Sequence, residues 1–428
     1  MSFMLRGAII ALALVASATN AEAAPCDGRS SGANPLEPNS PLTLQVVLDQ
    51  VRRASPEVRA AGLEARALGA EADQAARRLN PSILIELENF SGSGALSGFD
   101  QTETTIAVEQ TFRLGDKRGL SESAARARQA LASAECAVVL REAELQAALL
   151  FSDLLAAEDL QELTQQTAAL SERLAATVER RVEAGAAAPP ELARARADAA
   201  TIRANAAGIA AEIEARRYGL ALLWGEANPQ FGSAVASTDV LNDALDDGPA
   251  ENPRLDAASA GLRAREAETA LARSAALPDV TVSAGFRRFE ESGDEAFIAG
   301  VSIPLPLFDR GRDAARASAF RADAAALDRR FVEQRLLSEQ RSAAAARRAA
   351  QARLDILLQD ALPAAEEAYA AAERGYEVGR FDLTTTLNAR AVLLQTQLAV
   401  IEAERTLRAE DLRLRALIGA SPFDGGLQ

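Results

Sequence analysis

The sequence predicts a mainly α-helical chain with a small share of membrane-type β-strand, built from two copies of one unit. Three observations carry this. Alanine dominates the 428 residues, aromatics are 4%, and there is one Trp. Ala, Leu, Arg, Glu and Gln lose little side-chain freedom in a helix, so long stretches of them favour extended helices packed through small residues. A set of landmarks recurs at an offset of about 195 residues, which marks a duplication. Each copy also holds one pair of alternating segments of about 9 to 11 residues, the length that crosses a bilayer when tilted.

The landmarks align in order. Asn80-Pro81 matches Leu277-Pro278, and FRLGDKRG (Phe112 to Gly119) matches LPLFDRGR (Leu305 to Arg312). The run from Glu179 to Arg196 matches Glu373 to Arg390, and LLWG ending at Gly225 matches LIGA around Gly419. Each copy therefore reads helix, strand, strand, long helix, tight turn, helix. In the first copy, helix is predicted over Thr43–Leu79 and strands over Ser82–Ser91 and Thr102–Phe112. A long helix follows over Asp116–Val182; Gly185 and Pro189-Pro190 break it, and helix resumes over Glu191–Trp224. In the second copy, helix is predicted over Pro253–Ala276 and strands over Asp279–Phe289 and Ala296–Ile303. The long helix covers Arg312–Glu377, Gly379 marks the turn, and Asp382–Ile418 closes. A helix of about 67 residues spans about 100 Å, which no compact domain accommodates and a coiled rod or cylinder does.

The predicted division is a signal peptide at 1–24, a first repeat at 25–225, a linker at 226–252, a second repeat at 253–420 and a tail at 421–428. The leader has a charged start at Met1–Arg6, a short apolar run at Gly7–Ala18, and small residues that favour cleavage after Ala23 or Ala24. Cys26 near that point suggests a lipid anchor, but Pro25 stands where such a site wants a small residue. Beyond residue 24 no apolar run reaches transmembrane-helix length, so membrane insertion falls to the strands.

Composition excludes several function classes. With no His, the commonest general base and metal ligand is missing, and Ser-His-Asp, Cys-His and HExxH chemistry is ruled out. Two Cys are too few for a thiolate metal cluster. A net charge of −15 does not suit a general nucleic-acid binder. No GxxxxGK[ST] phosphate loop is present. The expectation is a non-enzyme without cofactor or resident metal.

The strands alternate. Ile83, Ile85 and Leu87 oppose Glu86 and Glu88; Ile106 and Val108 oppose Thr105 and Glu109. Val280, Val282 and Phe286 oppose Thr281, Ser283 and Arg287; Phe297, Val301 and Ile303 oppose Gly300 and Ser302. Apolar-out and polar-in is the pattern of a membrane barrel, and it is also that of a half-buried soluble sheet. Two hairpins set between long helices after an export signal favour the barrel. Four strands fall short of the about eight that the smallest outer-membrane barrels use, and open edges are not tolerated in lipid. Three copies supply twelve strands. Glu86, Glu88, Glu109 and Arg287 are then candidate lumen residues, and the Gly-rich acidic loops Ser91–Asp100 and Glu290–Glu295 fit the outer end.

With this layout and the turns around Gly185 and Gly379, the chain resembles the TolC-type outer-membrane efflux family from about Leu42 to Ala420. Glu109–Gly119 (EQTFRLGDKRG) and Ile303–Arg312 (IPLPLFDRGR) are most similar to the CzcC-type heavy-metal branch. The resemblance implies a TolC-like homotrimer: a shared twelve-stranded β-barrel in outer-membrane lipid, a periplasmic α-helical tunnel, and an equatorial linker between the repeats. It implies a passive exit duct for substrates, metal cations among them, delivered by a periplasmic adaptor (membrane fusion protein) and an inner-membrane pump of the resistance-nodulation-division type. Drug efflux and type I secretion use the same design and remain open, as does a non-channel coiled-coil adaptor. Tyr376 and Gly379 match the family's tip motif, and the turn at Gly185 is the other periplasmic tip that the resemblance implies. Thr385 and Asn388 stand where the best-known members carry two gate aspartates, so a double acidic ring is absent there. Arg380 and Asp382 are the remaining gate candidates, although Asp382 also suits a helix N-cap and Glu191 a first-turn acid facing the helix dipole. An exported chain with two Cys often pairs them; Cys26 and Cys136 as a disulfide, or as two free thiols, both stay open.

Overall fold

The computed structural model describes Cys26, Leu36 and residues 38–236 and 252–418. The predicted leader and tail, and most of the predicted linker, lie outside the described residues.

The first repeat contains α1 (Leu44–Ala54), α2 (Pro56–Ala75), β1 (Ser82–Glu88), β2 (Glu103–Phe112), α3 (Lys117–Glu183) and α4 (Pro189–Leu222). The second contains α5 (Pro253–Ser274), β3 (Val280–Phe289), β4 (Glu295–Ser302), α6 (Arg312–Ile356), α7 (Leu362–Glu377) and α8 (Leu383–Leu417).

Three expectations need correction. The single helix expected over 43–79 is two, because Ser55, forced extended by the following Pro56 (φ −55°, ψ 120°), ends α1. Pro189 and Pro190 do not break a helix but open α4, where their missing N–H groups cost nothing. The long second-copy helix is interrupted by one π-helical turn, Leu357–Ala361, between α6 and α7. Pro363 just beyond it has no N–H to donate and a ring that crowds the preceding turn, and a widened turn accommodates both.

The long helices organise the rest. α2 packs on the upper part of α3 and α4 on its lower part; α5 and α8 do the same for α6 and α7. The α3 seam is made of small residues, among them Ala124, Ala132, Ala143, Ala147, Ala148 and Ala157, all buried. Small side chains let long backbones run close together along a narrow seam.

The four strands form one antiparallel sheet in the order β1-β2-β3-β4. The two hairpins join through β2 and β3, so the sheet is shared between the repeats. Ile83 faces Val108 and Ile85 faces Ile106. Ile106 in turn pairs with Phe286, and Phe286 with Phe297. Ile83, Ile85 and Leu87, Ile106 and Val108, Val280, Val282 and Phe286, and Phe297 and Val301 thus fall on one face, while Leu84, Phe289 and Ile298 fall on the other. Nothing among the described residues covers the first of these faces: Ile83 is 71% exposed and Phe297 98%. Among the described residues, β1 and β4 each present an unpaired edge.

The chain has a large equatorial core and a smaller one at the tip. The equatorial core gathers Leu42, Val47 and Val51, Phe151 and Leu154 of α3, and Trp224 and Phe231 beyond α4. Residues 39–42 run beside 230–235, with Leu42 N–H donating to Ser233 O at 2.9 Å and Val235 N–H to Leu42 O at 2.9 Å.

Candidate functional site, the tip turns and the sheet lumen

The two tip turns are built alike. Gly185 and Gly379 adopt φ of 73° and 76°, a left-handed conformation that L side chains resist. In the first turn Ala186 N–H donates to Arg181 O at 2.7 Å; in the second, Arg380 N–H donates to Gly375 O at 2.7 Å. Each closes a Schellman-type cap that satisfies the last carbonyls of its helix.

Their side chains differ. Tyr376 is 2% exposed and packs with Leu174, Val178, Ala195, Leu383 and Leu387. The Arg181 guanidinium lies 4.5 Å from its ring centroid and donates to the Tyr376 carbonyl. The Tyr376 hydroxyl donates to Glu191 Oε2 at 3.5 Å, while Glu191 Oε1 accepts from Ala188 N–H at 3.2 Å. Burial, and then the negative charge of Glu191, push the Tyr376 phenol above its ordinary range. One buried tyrosine thereby ties the second turn to both helices of the first.

A second tie lies two to three helical turns further from the turns, ten residues along α3 from Arg181 and seven along α4 from Glu191. Arg390, 5% exposed, donates to Ser171 Oγ at 2.8 Å and pairs with Asp198. It links α8 to α3 and α4 in one contact. At the start of α8, Asp382 accepts from Thr385 N–H at 2.7 Å. The hydrogen bonds from Thr385 hold its carboxyl below the usual range. Its observed role is the N-cap. Arg380, Thr385 and Asn388 are exposed, and Arg380 makes no ion pair among the described residues of this chain.

On the polar face of the sheet, Arg287 reaches across three strands. It pairs with Glu88 at 2.7 Å and Glu103 at 2.8 Å, and donates to Thr105 Oγ1 at 2.9 Å. Glu86 and Glu109 share that face without an ion-pair partner among the described residues. Cys26 and Cys136 are joined in a disulfide at the equator.

Sequence reasoning placed Tyr376, Gly185 and Gly379 at one end and missed Arg181, Ser171, Asp198, Arg390 and Glu103. Aligning the copies on their turn glycines sets Arg181 opposite Gly375 and Val182 opposite Tyr376. That mismatch within a repeat was the available signal. Among the described residues, no group of three or more acidic or Cys side chains is placed to hold a metal ion, and no helix is long and apolar enough to cross a membrane.

Residues 47–226 and 244–420 match the family model described as outer membrane efflux protein. The chain is 30% identical to the cobalt-zinc-cadmium resistance protein CzcC of Cupriavidus metallidurans, over 85% of this chain and 87% of that protein. It is 31% identical to the nickel and cobalt resistance protein CnrC of the same organism, over 59% of this chain and 61% of that one. Among solved structures, the outer membrane protein VceC of Vibrio cholerae has a TM-score of 0.74 at 22% identity, covering 88% of this chain and 96% of that one. CusC has a TM-score of 0.76 at 18% identity, covering 88% and 92%. At those identities the likeness is one of fold: the two-repeat, TolC-like channel architecture.

Proposed function

The chain belongs to the outer membrane efflux protein family, and from that premise we propose that it is the exit-duct subunit of a tripartite metal-cation efflux system. The observation that carries this is the sheet. Its apolar face is uncovered and both of its edges are unpaired, and lipid accepts the first but not the second. Three copies joined β4 to β1 close a twelve-stranded barrel. The helices then hang beneath as a periplasmic tunnel, and the two tip turns meet a periplasmic adaptor and, through it, an inner-membrane pump. The metal reading rests on relatives named for cobalt, zinc, cadmium and nickel resistance. Substrate choice falls to the pump and adaptor, in keeping with the lack, among the described residues, of a tip or lumen cluster placed to hold an ion.

The duct is passive. At the tip, Arg181, Tyr376 and Glu191 hold the second helix pair against the first, and an adaptor that favours the parted state shifts that equilibrium. In the barrel, Glu86 and Glu109 give the lumen a cation preference, while Arg287 offsets part of the charge of Glu88 and Glu103.

Fractionation followed by planar-bilayer recording tests the reading. The expected result is a heat-modifiable trimer in the outer membrane, with Arg181→Met raising the open-channel current several-fold. A water-soluble monomer, or a membrane trimer that stays silent even as R181M, overturns it.

A further inference from the structure

We propose that this chain is a substrate of a dithiol–disulfide oxidoreductase in the exporting compartment, and that the Cys26–Cys136 bond forms before α1 and α2 close over α3. The compartment rests on the reading above; the order of events rests on geometry.

The bond encloses a segment with a sequence separation of 110 residues. That loop holds α1, α2, the whole first hairpin and the start of α3, and leaves the second repeat outside. Cys136 has no accessible surface. Its sulfur lies 3.8 Å from the Val58 carbonyl of α2. It belongs to one apolar cluster with Val47, Val51 and Val58 of the first two helices and Phe151 of α3. Cys26 is half-buried at the margin of that cluster.

Thiol–disulfide exchange proceeds by in-line attack of a thiolate on a sulfur. One thiolate of the chain first attacks the oxidised donor and forms a mixed disulfide. The second thiolate then attacks the chain's sulfur, the Cys26–Cys136 bond forms, and the donor leaves as a dithiol. Two electrons and the two thiol protons pass to the donor. Cys136 therefore has to be ionised and reachable at some point. In the packed state a thiolate there would be desolvated among apolar side chains, and no donor could approach it. The same burial protects the finished bond. Attack by an external thiol on Cys26 would expel a Cys136 thiolate into the apolar cluster. Oxidation must then precede equatorial packing, and packing seals it.

The second consequence concerns anchoring. A sulfur committed to this bond is not free for acylation, so Cys26 is fixed to the helices rather than to lipid.

The test uses the full-length chain in Gram-negative cells with and without their periplasmic thiol oxidase. Thiols are trapped with a maleimide in denaturant, and trimer in the outer membrane is quantified. Oxidase-competent cells should give no free thiol before reduction, and the folded trimer should resist a reductant that opens the bond in the unfolded chain. Cells lacking the oxidase should give two free thiols and several-fold less trimer. Cys26→Ala and the double variant C26A/C136A should show the same loss, which separates the missing bond from a stray reactive thiol. Complete oxidation without the oxidase, equal reduction of folded and unfolded chain, or full trimer yield from C26A/C136A would each overturn the proposal. An oxidised chain that conducts nothing overturns the channel reading alone.

Discussion

The two repeats share a backbone and differ in what holds it, most clearly at their lower ends. Arg196 and Arg390 occupy the same position counted from their turn glycines. Arg196 is exposed and pairs on the surface with Glu179 at 2.5 Å. Arg390 is buried and joins three helices through Ser171 and Asp198. The helix that follows each turn is capped from opposite directions. In the first copy Glu191 reaches back to the Ala188 N–H; in the second Asp382 reaches forward to the Thr385 N–H. Each copy keeps one half of a capping box. The bends also differ. Thr164, Thr167 and Ser171 turn their hydroxyls onto carbonyls four residues back at 2.7 to 2.8 Å, a bond that curves a helix. The matching stretch of the second copy carries the π turn instead. Duplication preserves the path of the chain, and the free choice of side chains makes one copy the socket and the other the plug.

The largest separation is expected at the paired arginines. Arg390→Ala leaves Asp198 and Ser171 without their partner and should cost about 2–4 kcal/mol, near the range for breaking a buried pair. Arg196→Ala should cost under about 1 kcal/mol, as exposed pairs do. Thermal unfolding of the isolated protein, with limited proteolysis at the tip, reads both; equal effects would break the distinction.

Next is Gly375. A Cβ there would lie 2.1 Å from the Phe381 ring, so Gly375→Ala should displace Phe381 and destabilise the second turn by about 1–3 kcal/mol. The matching position in the first copy is Arg181, whose side chain bonds Ala186 O of its own turn and crosses onto Tyr376. If proteolysis near Gly379 were unchanged in G375A, the tight packing of the second turn would not matter to its stability.

The smallest effects concern the caps. Ala188→Asp supplies the missing half of the first box and should stabilise α4 by about 0.5–1 kcal/mol. At Asp382 the folded carboxyl titrates below its ordinary value. Its contribution is therefore complete above the ordinary Asp value of about 3.9 and is lost as pH falls through the lower folded value. Asp382→Asn should flatten that part of the pH–stability curve, while A188D should introduce the same acid dependence into the first turn. Identical acid profiles for D382N and the native chain would remove the cap from the account.

Much of this molecule was legible in one dimension. The duplication, the long helices, the two hairpins and the turn glycines all rest on local periodicity and punctuation, and these survive without knowing which helix touches which. The main apolar face of the strands also follows from their alternation, because the register pairs Ile85 with Ile106, Ile106 with Phe286 and Phe286 with Phe297, although Leu84, Phe289 and Ile298 lie on the opposite face. Contacts between the copies were not legible. Arg181 and Tyr376 lie 195 residues apart, and Arg390 and Ser171 lie 219 apart. No local pattern distinguishes a surface arginine from one that crosses a seam. The same holds for Arg287, whose partners come from two other strands, and for Cys136, whose pairing needs Cys26 brought to the equator. Sequence alone determined the path and periodicity of the chain, because backbone geometry and alternation act between near neighbours. Tertiary structure decided which charges are buried, which turn grips the other and which sulfur is sealed, because those depend on what distant segments bring within reach.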